Sequence, residues 1–195
     1  PPRSTLFPYT TLFRSKAVSD LRRTATSELR LALVRMGDCG KYAADYEGAQ
    51  QWYGEAEAML LPGRTPRQAL GLRGAYAQSV EALLREKAWD QAREELDLWE
   101  WEFPLERLDG NSSLIRCRLA FETNDMSSCV TEAEVLVKVN PTSNYADKLL
   151  LIAAEAHVKL KDKASALRKL RAIVTDYPTS PLVGEVKAKI AALGG

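Results

Sequence analysis

Few side chains in this sequence are of a type that does chemistry, and their spacing is the first thing to weigh. His157 is the only histidine. An imidazole titrates near neutral pH, which makes it the natural candidate for a general acid or base. No nearby serine or cysteine builds a nucleophile–base pair with it, and the surrounding "LLLIAAEAHVKL" reads as a packed helix. His157 is therefore read as structural. Cys39, Cys117 and Cys129 contain no CxxC pair and no zinc-ligand spacing. An odd, sparse set is not a disulfide framework, and each reads as a small buried residue. The phosphate-cradling GxxxxGK[ST] and GxGxxG runs, the zinc-binding HExxH and the nucleophile-elbow GxSxG are absent. The expectation is a non-catalytic chain without metal or cofactor.

Binding chemistry is the next question. Trp99, Trp101 and Phe103 in "LWEWEF" have the type and proximity of a base-stacking platform, but Glu100 and Glu102 interleave them. Glu81 to Glu106 carries nine acidic and three basic residues, so phosphates would be repelled there. The stretch from Asn144 onward has nine basic and five acidic residues, which reads as a solvated helix face. The whole chain has 27 basic and 26 acidic residues, a net charge of +1. The expectation is no nucleic-acid partner. No apolar run is long enough to span a bilayer, so no membrane insertion is expected.

The opening "PPRSTLFPYTTLFRS" stands apart. It resembles, at all fifteen positions and in one reading frame, the translation of a common short-read sequencing adapter. Residues 1–15 are accordingly expected to be an assembly artefact, with native sequence beginning at Lys16 or further upstream. Without Arg3 and Arg14 the basic count falls to 25 and the net charge to −1.

The elements that position these residues follow a fixed step. "AREELDLWEWEFP", "CVTEAEVLVKVNP" and "ALRKLRAIVTDYP" end at Pro104, Pro141 and Pro178, each 37 residues apart. Three columns align within them: Ala92, Cys129 and Ala166; Leu96, Ala133 and Leu170; Trp99, Leu136 and Ile173. Their 0, 4, 7 spacing is that of a helix burying one face. The proline then stops the helix. A second helical pattern precedes each stretch, in "LRGAYAQSVEALLRE", "SSLIRCRLAFE" and "YADKLLLIAAEAHVKL". Neither helix of such a pair buries its stripe alone, so successive hairpins are expected to stack around one continuous core. The fold class is all-α.

An earlier unit, "LVRMGDCGKYAADYEGAQQWYGEAEAMLLP", resembles a tetratricopeptide repeat, with Gly37 and Ala49 as its small crossing residues, Tyr53 its aromatic and Ala56 its next small residue. Pro62 stands one place late for the terminal proline, and Gly40 replaces the usual aromatic. "DYPTSPLVGEVKAKIAAL" resembles the "YPxSP" variant of bacterial members. The resemblance implies an α-solenoid with repeats at about 30–62, 68–104, 108–141 and 144–178, closed by a capping helix over 181–193. Ser180 is its expected N-cap, Pro181 its first residue, and Leu182, Val186, Ile190 and Leu193 its buried stripe.

By the same resemblance the function is protein or peptide binding, in a groove lined by Asp38, Tyr42, Glu81, Arg85, Leu114, Arg118, Phe121, Leu151, Glu155 and Val158. It further implies that Cys117 and Cys129, which align with Ala154 and Ala166 one step on, lie where two helices cross. They are then either two buried thiols in place of alanines or a disulfide in an oxidising compartment. A bacterial assembly or cell-envelope scaffold is expected, with the periplasm favoured over the cytoplasm. The competing readings are a self-associating module and the C-terminal arm of a larger enzyme.

Overall fold

The computed structural model describes residues 8–59 and 65–194, which form ten helices and, among themselves, no strand. In chain order these are α1 (Pro8–Ala43), α2 (Tyr46–Ala58), α3 (Pro66–Arg85), α4 (Trp89–Glu102) and α5 (Glu106–Asp109). Then come α6 (Asn111–Glu122), α7 (Met126–Val139), α8 (Ala146–Lys159), α9 (Lys163–Asp176) and α10 (Val183–Ala192). Of the adapter-like segment, residues 1–7 lie outside the described ones, as does the connector 60–64 with Pro62.

Two local devices recur at the 37-residue step. The first is the helix stop. Phe103, Asn140 and Tyr177, each followed by proline, have φ of −126, −133 and −126° with ψ of 71, 75 and 55°. The proline ring excludes the helical region for the residue before it, so α4, α7 and α9 end there. The second is the turn between paired helices. Lys87, Asn124 and Lys161 take left-handed φ of 58, 63 and 62°, and Ala44 repeats the turn at 62° in the first hairpin. The next residue starts the following helix, and its N–H bonds a carbonyl five residues back, as in Asp125 to Ala120 at 2.7 Å and Asp162 to His157 at 2.9 Å. Asp45, Asp125 and Asp162 then cap α2, α7 and α9 by accepting the N–H of Gly48, Ser128 and Ser165 at 2.9–3.1 Å. Ala88 holds that place before α4 and makes no side-chain cap.

All nine column residues are buried. Helices pack as hairpins, α1 on α2, α3 on α4, α6 on α7 and α8 on α9, with α7 against α8, α4 against α6 and α10 against α9. At the α1–α2 crossing a Cβ on Gly37 would overlap the Tyr53 ring, and one on Gly40 would sit 2.9 Å from the Ala49 nitrogen. Gly40 thus permits the close approach of two backbones.

The order of stacking differs from the expected succession. The first hairpin seats mainly on α5 and α7, and Leu33, Val34, Ala49 and Tyr53 share one cluster with Leu108, Cys117, Ala133, Leu136 and Leu149. The α3–α4 hairpin forms a second cluster with Ile115 and Leu119 of α6, and Leu150, Leu170, Ile173 and Val186 form a third. The cause is polar. The inner face of α1 carries Arg30, Asp38 and Lys41, and buried charge must be paired. Arg30 Nε donates to the Ala56 carbonyl at 2.9 Å and its guanidinium also bonds the Trp101 carbonyl. Asp38 meets Arg107 at 3.0 Å, and Lys41 meets Glu132 at 2.7 Å.

The capping helix begins at Val183, two residues later than expected. Pro181 lies in the turn before it, and the Ser180 hydroxyl accepts the Leu182 N–H at 3.1 Å. Val186 is the fully buried residue of its stripe.

Candidate functional site

Two adjoining clefts run across α3, α6, α8 and α10. The first, about 350 Å³, lies between Leu84, Arg85 and Trp89 on one side and Arg118, Phe121 and Ile152 on the other. The second, about 400 Å³, has Phe121, Ala154, Val158, Leu170 and Leu193 as its walls. Phe121 and Glu155 line both, so the two form one trough with an apolar floor. Helical spacing explains the placement: Arg118 and Phe121 are three apart on α6, as are Glu155 and Val158 on α8.

The rim is charged. Arg118 pairs with Glu81 of α3, and Lys189 of α10 meets Glu155 at 2.8 Å. That carboxylate hydrogen bond holds the Lys189 ammonium above its ordinary pKa. Lys159 Nζ stands 3.6 Å from the centroid of the Phe121 ring, a cation–π contact that leaves the ammonium facing the trough. Val158 is 45 % exposed, an apolar side chain open to solvent beside this floor.

Of the residues expected in a groove, Glu81, Arg85, Arg118, Phe121, Glu155 and Val158 gather at this trough. Leu114 and Leu151 are partly buried against the first and third core clusters. Asp38 and Tyr42 belong to a different, polar cleft of about 290 Å³, with Lys41, Glu100, Arg107 and Glu132 among its walls. There Asp38 accepts a hydrogen bond from the Tyr53 hydroxyl at 2.6 Å, and burial together with that carboxylate pushes the Tyr53 phenol far up. Burial opposes ionisation of Glu132, yet Lys41 and Ser113 outweigh it and hold its carboxyl below the usual value of 4.5. Burial disfavours charge on Arg107 also, and Glu100 with Asp38 reverses this and raises its pKa. Sequence reasoning missed this cleft because its residues span positions 38 to 132 with no common motif.

Cys117 and Cys129 are neighbours and free thiols: Cys117 Sγ–H donates to the Cys129 carbonyl at 3.4 Å. Its contact with Cys129, together with burial, pushes the Cys117 thiol up, so it stays protonated. Cys39 is exposed. His157 Nδ1 lies 3.6 Å from the Asp162 carboxylate, and neither ring nitrogen makes a hydrogen bond among the described residues. Trp99 and Phe103 are buried, while Trp101 is half-buried under Arg30, whose guanidinium carbon stands 4.1 Å from its ring centroid. No helix among the described residues is long and apolar enough to cross a membrane, and none of them form a cluster of three or more metal-type ligands. Comparison with family models, with curated proteins and with solved structures returned no match to this chain.

Proposed function

We propose that this chain is a tetratricopeptide-like α-solenoid that binds a peptide segment of a protein partner without catalysis, as a bacterial assembly or envelope scaffold. The 37-residue recurrence of both the pre-proline stop and the left-handed turn supports the repeat reading. The observation that carries the binding reading is the trough: Phe121 joins two clefts, and an apolar floor runs between a charged rim. Such a surface suits an amphipathic helix or an extended segment with apolar anchors.

The test is selection of peptides on the immobilised chain from a random displayed library, followed by titration of the best binders. Val158→Glu alters an exposed side chain and leaves the fold intact; Phe121→Ala removes the shared wall. Each is expected to weaken binding at least about tenfold, the loss of one buried apolar anchor. Binders whose affinity is untouched by both variants would place recognition elsewhere and sink the reading.

A further inference from the structure

The α1 helix carries an apolar face that no described residue covers. Leu21, Ala25, Leu29, Ala32, Met36 and Cys39 follow one another at spacings of 4, 4, 3, 4 and 3 residues, so they lie on one side of the helix. All six are exposed: Leu21 by 69 %, Leu29 by 56 % and Met36 by 43 %. At 100° per residue this seam points roughly 140° away from the buried face of Arg30, Leu33, Val34, Gly37 and Lys41. The helix therefore seats on the body with one face and offers the other.

We propose that this seam pairs with the same seam of a second copy, in an antiparallel helix pair. The side chains select both partner and direction. Set antiparallel about a point between Arg30 and Leu31, Leu29 faces Ala32 of the other copy, Met36 faces Ala25, and Leu21 comes level with Gly40, one residue past Cys39. Every large residue meets a small one, the interdigitation that fills space without voids. A parallel pair in register would stack Leu on Leu and Ala on Ala, alternating crowded and empty layers. Charge agrees: Glu28 and Arg35 flank the seam on one side, both exposed and neither in an ion pair among the described residues, and the antiparallel setting brings each near the other's counterpart. The bodies also fit. Between Lys16 and Leu29 every described side chain is exposed, so this half of α1 brings no bulk and lies along the anchored half of its mate.

This pairing is independent of what the trough binds. Sedimentation equilibrium of the full chain is expected to show a reversible dimer, and Leu29→Lys a monomer with unchanged helix content. The direction is read by thiol oxidation in a Cys39→Ser background. Residues 25 and 36 are about 16 Å apart along one helix, beyond the reach of an intrachain disulfide. Ala25→Cys with Met36→Cys together should give a covalent dimer, and either alone should not. A monomer at all concentrations would overturn the proposal. Self-crosslinking of the single Met36→Cys variant would overturn the antiparallel setting, and so would a dimer that Leu29→Lys leaves intact.

Discussion

At the scale of single residues, one contact that constrains the first hairpin is Lys41 with Glu132. Their side chains are 7 and 13 % exposed, and Ser113 donates a further hydrogen bond to the same carboxylate. Removing one partner of such a pair strands the other charge out of water. Lys41→Met is expected to cost about 3–5 kcal/mol in urea denaturation, and the double variant Lys41→Met, Glu132→Leu to recover most of it, since an apolar replacement of similar volume is close to neutral. The acid limb follows from the depressed Glu132 carboxyl. Its contribution is complete above the ordinary value of 4.5 and is lost as the pH falls through the lower folded value. Denaturation midpoints measured between about pH 6 and 3 should fall less steeply in Glu132→Gln, which no longer takes up that proton.

At the scale of elements, the recurring turn uses a conformation that lysine tolerates poorly. Lys161 is exposed with φ of 62°, and an L side chain in the left-handed region is strained by its own Cβ. Lys161→Gly is expected to raise stability by about 0.5–1 kcal/mol, the relieved strain less the added freedom of the unfolded chain, readable as a higher melting temperature. Gly110 between α5 and α6 shows the reverse case. It has φ of 107°, and a Cβ there would overlap Ser143 Oγ and approach Leu136 Cδ2 to 2.7 Å. Gly110→Ala should therefore lower the melting temperature markedly. The prolines and the 0, 4, 7 columns made α4, α7 and α9 legible from sequence, because both effects act within one helix. The short α5 and the late start of α10 were not legible, since each depends on side-chain bonds to a neighbouring unit, such as Ser143 to the Asp109 carbonyl and Ser180 to Asp147. The trough was half legible for the same reason. Helical spacing places Phe121 and Val158, but the seat of α1 on α5 and α7 carries Asp38 and Tyr42 to another cleft.

At the scale of the whole molecule, three core clusters replace the single one expected. Cooperative units follow buried contacts, so amide exchange should be slowest in α7 and α8, where the first cluster meets its neighbours. Residues 16–29 of α1, exposed at every described side chain, should exchange fastest among the helices. Protection there that rises with protein concentration would mark the paired state. The seat of the first hairpin also has a consequence in time. Asp38 waits 69 residues for Arg107, and Lys41 waits 91 for Glu132. At a synthesis rate of about 5–20 residues per second, the second delay lasts roughly 5–18 s. Through that interval α1 and α2 are complete but without their seat, and the face they turn to α5 and α7 stays uncovered, with Asp38 and Lys41 still in water. The α1–α2 hairpin thus settles only after Glu132 has left the ribosome, and any factor that shields nascent chains has a long hold on it until then.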